Sequence, residues 1–423
     1  MQRRKVTYKL YPSLVQVEFL LALLHLHKDL WNAALQERID AWTKRRKSIS
    51  YEDQCASLTA IRADLPGDWG TTSCSSQQVT LRRLDKAFKA FFFRVARGQS
   101  PGFPRYKSIN RMPGFGFKGH GDGWRFTPKL ANEGRPDDFG IVRWAKHGTL
   151  YLQGMGHIPC RGQARAGGVI KSCELMHVRG EWSVSVTLEV AEVDVARERV
   201  EHHAMAADWG VSKLLTIVRT DGAHGDFAEV VDNPRWYQHA QERLVALDRA
   251  VASKNRGSAS WRKACAKLSK LRSKLARQRL DHQHKLAAQI AARCSIFASE
   301  KLAIKSMTAS AAGTREEPGT NVRQKAGLNR EILDTAPAAL LQKIAYKVAE
   351  TGGQYLEAPT RILKPSQTCP QCGTRVKKKL SQRWHCCHSC GHAEDRDAAA
   401  ARVVLRWAIG VLDSGQELAE MAA

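Results

Sequence analysis

The sequence predicts an α/β multidomain protein, and three observations carry that expectation. The first quarter of the chain has apolar residues at helical spacing, and the stretch after it breaks into short alternating runs. In the second half, apolar strands that end in acidic residues alternate with long helices. At 423 residues the chain exceeds one ordinary domain and can form roughly two to four units with their own cores.

The chain opens on a short strand, "KVTYKLYP", and continues into the helical pattern "QVEFLLALLHLHKDLWNAALQERIDAW". A second helix carries Leu81, Leu84, Phe88, Phe91 and Val95 on one stripe. The stripe belongs to the core of a helical unit spanning about 13 to 99. The basic positions off it, Arg82, Arg83, Lys86 and Lys89, are the ones free to contact phosphate.

From "SPGFPRYKS" onward the texture is Gly, Pro and short strands, which predicts a small β-barrel or sandwich over about 105 to 192. In "EWSVSVTLEV", Trp182, Val184, Val186, Leu188 and Val190 share one face, with Ser183, Ser185, Thr187 and Glu189 on the other. The charged "AEVDVARERVEHH" reads as a linker.

The segment "AMAADWGVSKLLTIVRTDG" predicts a strand ending at Asp208, a bend, a second strand and an Asp-Gly turn. A basic helix follows from Trp261 to Arg293, with Lys263, Lys267, Lys270, Lys274 and Arg277 along its length. That face is either solvated or bound to phosphate. "CSIFASEKL" reads as a buried strand terminating at Glu300. Residues 308 to 326 are polar, Gly-rich and aperiodic, which predicts a mobile loop. Helix returns in "REILDTAPAALLQKIAYKVAETGG", followed by the strand "QYLEAP".

The formal charge is +26 and the pI near 9.9, which makes a polyanion the expected partner, nucleic acid ahead of an anionic membrane. No apolar run reaches a transmembrane length, and "MQRRKVTYKLYPS" lacks the apolar stretch of a signal peptide. The expected location is cytoplasmic, with the nucleoid as the place of DNA binding. Eleven cysteines in a long chain, clustered toward its end, point to metal and away from disulfides.

Cys369 and Cys372 form "CPQCG", and Cys387 and Cys390 form "CHSCG". Two such knuckles supply four thiolates for a closed tetrahedral zinc site. Cys386 beside Cys387 is a second candidate for the third ligand, and the Cys-x-x-Cys spacing favours Cys387. Between the knuckles, "TRVKKKLSQRWH" offers Lys377, Lys378 and Arg383 to nucleic acid, or to solvent.

Three separated acids are the candidate catalytic residues: Asp208 and Glu300 at strand ends, and Asp397 at the start of "AAAARVVLRWAIGVL". Each alone reads as a surface acid or helix cap. Together they suggest a ribonuclease-H-type fold in which carboxylates converge on two Mg²⁺, a hard ion that takes oxygen ligands.

"YKLYP" with "LWNAAL", "LRRLDKAFKAFF" before "GFPRYKS", then "ADWG", "SEKL", "LNREILD", "SQTCPQCG" and "CGHAEDRDAAAA", in this order, resemble the TnpB family of RNA-guided nucleases. The resemblance covers nearly the whole chain. It implies a RuvC nuclease domain over 199–366 and 393–423, interrupted by a zinc ribbon over 367–392. It also implies a wedge-like β-barrel from 1–12 and 105–198, and a helical recognition lobe over 13–104. Asp208, Glu300 and Asp397 become the three RuvC carboxylates, with Asp395 the rival for the last role. Ala399 stands where the family usually carries Asn. The implied function is RNA-guided cleavage of double-stranded DNA beside a short flanking motif, by a monomer with its guide RNA. The alternatives are a guided DNA-binding protein with weak or no cleavage, supported by Ala399, and a compact type V CRISPR effector with the same chemistry.

Overall fold

The computed structural model describes residues 2–67, 69–70, 72–135, 142–163, 165–190, 203–220, 226–379 and 381–413. The chain forms two compact units, Met1–Val193 and Asp194–Ala423. The expected linker falls outside the described residues except for His203, and so does the expected Asp-Gly turn.

The first unit begins with β1 (Gln2–Leu10), followed by three helices: α1 (Leu14–Arg45), α2 (Tyr51–Asp64) and α3 (Cys74–Ala96). Ser13 starts α1 with a capping box: its hydroxyl accepts from the Gln16 N–H at 3.3 Å, and the Gln16 side chain accepts from the Ser13 N–H at 3.0 Å. Ser50 and Asp53 do the same for α2. The apolar stripe of α3 is buried at Leu81, Leu84 and Phe88, but Val95 at its end is exposed, so the stripe runs off the core one turn before the helix stops.

The strands of this unit are β2 (Gly114–Phe117), β3 (Trp124–Leu130), β4 (Arg143–Leu152), β5 (Gly156–Arg161), β6 (Arg165–Ala166), β7 (Val169–Val178) and β8 (Glu181–Val190). With β1 they form one antiparallel sheet in the order β2-β7-β8-β1-β5-β4-β3, with β6 on β4. Strand β8 alternates as its sequence predicts, with Trp182, Val184, Val186 and Leu188 in the core beside Tyr8, Phe115 and Trp124. Leu20, Leu23 and Leu24 of α1 join that core, and Leu30, Trp31 and Leu35, further along the same helix, join Leu58, Leu81 and Phe88 in a second.

The closed barrel expected for this region is not formed among the described residues. The two end strands, β2 and β3, are not paired, and the sheet is an open half-barrel. The physical reason lies at β2, which is only four residues long. Its register with β7 turns the Gly114 carbonyl away from that neighbour, and Arg83 of α3 donates to it at 2.9 Å. A helix side chain therefore satisfies an edge that a barrel would close with another strand.

The second unit holds β9 (Ala204–Trp209), β10 (Lys213–Thr220), β11 (Asp226–Asp232), α4 (Trp236–Ala252), α5 (Ala259–Ala291), β12 (Ile296–Glu300), α6 (Ile304–Met307), α7 (Val322–Thr335), α8 (Pro337–Glu350), β13 (Gln354–Ala358) and α9 (Thr360–Leu363). The last elements are β14 (Trp384–Cys386), β15 (Ala393–Asp395) and α10 (Arg396–Asp413). The five-stranded sheet has the order β11-β10-β9-β12-β13, antiparallel from β11 to β9 and parallel from β9 to β13.

Both faces of this sheet are covered. Leu286 and Ile290 of α5 and Leu340 and Ile344 of α8 pack on one side, against Met205, Leu215 and Phe297. Ala401, Val404 and Ala408 of α10 pack on the other, against Ala204, Ala206, Ala298 and Leu356. Alanines on both partners let α10 lie close to the strands.

The loop expected over 308–326 is shorter than that. Residues 322–326 belong to α7, and Gly313 bridges Pro318 in a tight turn in which the Gly319 N–H donates to the Ala312 carbonyl at 2.9 Å. Short-range hydrogen bonds of this kind leave no apolar periodicity in the sequence.

Candidate active site and metal cluster

Strands β9 and β12 run parallel, with Phe297 beside Met205, Ala298 beside Ala206 and Ser299 beside Ala207. One residue further, the same register sets Glu300 beside Asp208. Alternation puts both carboxylates on the face that carries Ala206 and Ala298, the face on which α10 packs. Asp397 sits in the first turn of α10. All three acids line one cavity of about 980 Å³.

The electrostatics of that cavity oppose three bare anions. Burial, then the neighbouring Glu300 and Asp397 carboxylates, push the Asp208 carboxyl well above the usual carboxylate range, and Arg396 offsets part of this. Burial likewise raises Glu300. The arrangement calls for added positive charge, and Asp208, Glu300 and Asp397 offer the oxygen donors that a hard divalent cation prefers.

Asp395 has different partners. Its Oδ1 accepts from the backbone N–H groups of Asp397 at 3.0 Å and Ala398 at 3.2 Å, capping the first turn of α10, and its Oδ2 accepts from Lys213 Nζ at 2.9 Å. Burial works against its charge, yet the Lys213 hydrogen bond and these amides hold its carboxyl below the usual range. It does not line the cavity. Lys213 Nζ also lies 3.7 Å from Asp397 Oδ2, so one ammonium braces both side chains.

Of the expected nucleic-acid-binding residues, Lys378 and Arg383 line this cavity, while Lys377 is exposed outside it. Lys267, Lys270, Lys274 and Arg277 are exposed on α5 and take no part in the cavity. The wall also contains Arg235, Lys364, Arg396 and Glu331, none of them singled out by sequence. Glu331 lies within "LNREILD", the one sequence signal for it; Arg235 and Lys364 sit at positive-φ bends, where sequence patterns are silent. Ala399 is fully buried on α10.

The four knuckle cysteines come together, with all Sγ atoms within 4.8 Å of one another, Cys369 and Cys390 at 3.7 Å and Cys372 and Cys387 at 3.6 Å. The two knuckles repeat one local structure. Gly373 and Gly391, each just after the second cysteine, have φ of 75° and 74°, and their N–H groups donate at 3.0 Å to the carbonyls of Cys369 and Cys387. The hydroxyl and amide of Thr374 pull the Cys372 thiol down to about 6, toward the thiolate that a metal binds. Cys386 is exposed on β14 and is not part of the cluster. Four converging sulfurs fit a zinc ion.

Residues 184–311 match the OrfB_IS605 family, described as a probable transposase, and residues 338–404 match the Cas12f1-like TNB domain. The chain is 29% identical to the Escherichia coli K12 protein named "Putative RNA-guided DNA endonuclease InsQ", over 92% of this chain and 88% of that one. A Streptomyces pristinaespiralis protein named "Putative RNA-guided DNA endonuclease" is 26% identical, over 95% of this chain and 89% of that one. In fold, the chain is similar to the mini-RNA-guided endonuclease CRISPR-Cas_phi3, with a TM-score of 0.52 at 10% identity, covering 96% of this chain and 92% of that one. The two family segments, in chain order, and the near full-length relatives bear out the resemblance of this chain to the TnpB family.

Proposed function

We propose that the protein is an RNA-guided DNA endonuclease of the TnpB type, with one RuvC centre formed by Asp208, Glu300 and Asp397. The convergence of these three acids on one cavity with a basic rim is the observation that carries the reading. In the domain scheme that goes with it, 199–366 and 393–423 form the nuclease domain, 367–392 the zinc ribbon, 13–104 the recognition lobe, and 1–12 with 105–198 the wedge.

Two Mg²⁺ held by these carboxylates would supply an activated water and counter-charge at the leaving oxygen. The chain's own contribution is placement. Asp208 and Glu300 are fixed by adjacent strands, and Lys213 braces Asp397. Lys378, Arg383 and Arg396 stand where a phosphodiester backbone would approach, and their charge would draw a strand into an otherwise acidic site. Base pairing with a guide RNA would choose the target.

A second reading, guided binding with weak or no cleavage, rests on Ala399: a buried methyl group stands where the family usually has an amide. One experiment separates the two. The chain is purified with its native flanking RNA and incubated with Mg²⁺ and plasmids that carry the matched target beside randomised flanks. Linear products enriched in one flanking motif support the endonuclease. Plasmid bound but uncut supports the binder, and no guided binding overturns both.

A further inference from the structure

A second pocket, of about 390 Å³, lies in the helical part of the first unit between α1 and α3. Its walls include Trp42, Phe88, Phe92 and Phe103, with Arg38 and Lys47 among the polar residues. This is not an ordinary core. Trp42 is 54% exposed, Phe92 60% and Phe103 47%, so the rings stand open to solvent.

The rings are held in place before any ligand arrives. Phe103 meets Phe88 edge to face at 5.6 Å and Phe91 at 5.2 Å. Its loop is tied down by Arg94, whose Nε donates to the Pro101 carbonyl at 2.6 Å. Just beyond, the Arg105 carbonyl accepts from Trp31 Nε1 at 3.1 Å.

Arg38 gives the pocket a polar requirement. Its side chain is only 10% exposed and lies over the Phe88 ring, 5.1 Å from the centroid. Nε donates to Gln54 at 2.9 Å and Nη1 to Asp85 at 3.4 Å, while the buried Nη2 has no hydrogen-bond partner among the described residues. A buried donor left unpaired costs free energy, and the side chain that carries it is part of the pocket lining. Lys47 lines the pocket and is exposed, as are Arg45 and Arg46 just before it in the chain, and Arg46 lies over the Trp42 ring, 5.8 Å from the centroid.

We infer that this pocket binds an unpaired nucleobase of a single strand, with the adjoining phosphates on the Arg45–Lys47 run. A nucleobase brings a flat ring for Trp42 and Phe92, an acceptor edge for Arg38, and an anion tethered to it through the sugar, which matches the three features of the pocket. An apolar peptide would leave the Arg38 donor and the Arg45–Lys47 run unanswered. The inference rests on nucleic acid being the partner of this chain, and it adds a specific base-holding site outside the catalytic cavity.

The test compares the full-length protein with its Phe92→Ala and Trp42→Ala variants by fluorescence anisotropy. The two probes are a labelled single-stranded oligothymidylate and an abasic strand of the same length. Both side chains are more than half exposed, so their truncation leaves the fold intact, which thermal melting checks. Wild type is expected to prefer the base-bearing strand by about tenfold. The variants should lose that preference with the salt dependence unchanged, because stacking and not charge is removed. An unchanged preference in both variants overturns the site while leaving nucleic-acid binding in place. Wild-type binding to neither strand sinks the nucleic-acid reading itself. Sedimentation of the protein alone adds a third outcome: a dimer that dissociates on Phe92→Ala makes the pocket a self-interface and overturns the inference.

Discussion

Asp208 and Glu300 lie side by side near the ends of adjacent parallel strands, with both carboxylates turned to the face where α10 delivers Asp397. Acids 92 positions apart in the chain thereby share one cavity, and burial raises both, with the neighbouring carboxylates adding to the rise at Asp208.

If these acids hold the catalytic ions, Asp208→Ala or Glu300→Gln should lower cleavage by on the order of 10³-fold or more. Guided DNA binding, read by gel shift with the RNA complex, should persist. Cleavage near the wild-type rate in either variant would remove that residue from the centre.

The two aspartates of "EDRD" should separate cleanly. Asp397→Asn is expected to abolish cutting with little change in melting temperature. Asp395→Ala removes a helix cap and the partner of Lys213, and should cost about 1 kcal/mol of stability. Calorimetry and a cleavage assay on the same preparations decide it; the reverse pattern would give the catalytic role to Asp395.

One zinc per chain is expected from metal analysis. Cys387→Ser should lose it and Cys386→Ser should keep it, since only the former sulfur lies in the cluster. Equal zinc content in the two variants would show that the third ligand is not Cys387.

His27 should make the first unit sensitive to acid. It is buried between the Thr80 hydroxyl at 2.9 Å and the Ser76 hydroxyl at 3.1 Å. Burial, helped by Arg83, lowers it from 6.5 to about 3. The unfolded chain therefore takes up a proton between those values and the folded chain does not, so stability is fully present above the unfolded value and falls as pH drops toward 3. The loss is about 1.4 kcal/mol per pH unit in that window. Denaturant titrations at several pH values should show a shallower fall in His27→Gln; identical slopes would mean that His27 does not titrate this way.

Local features of the fold are legible in the amino-acid sequence. The alternation of "EWSVSVTLEV", the strand end at Glu300 and the paired Cys-x-x-Cys knuckles are set by neighbours a few residues away, and the folded chain forms each of them as expected, while β9 runs one residue past the expected end at Asp208, to Trp209. The helix α2 leaves no such mark, because only Gln54 and Leu58 of it are buried, too few for a periodic signal. Basic residues are the hardest to rank. Lys274 and Lys378 look alike in sequence, yet one lies on the open face of α5 and the other in the wall of the acidic cavity.

By itself the sequence determined the cysteine set, the three candidate acids, the strong positive charge and the strands that carry Asp208 and Glu300, because each depends on residue type and short-range spacing. Tertiary structure decided the rest. It opened the expected barrel by giving the β2 edge to Arg83, engaged Asp395 as a cap and left Asp397 in the cavity, and brought Lys378 and Arg383 to the same wall as Asp208. These outcomes depend on contacts between segments distant in the chain, where side-chain direction and register, not composition, select the partner.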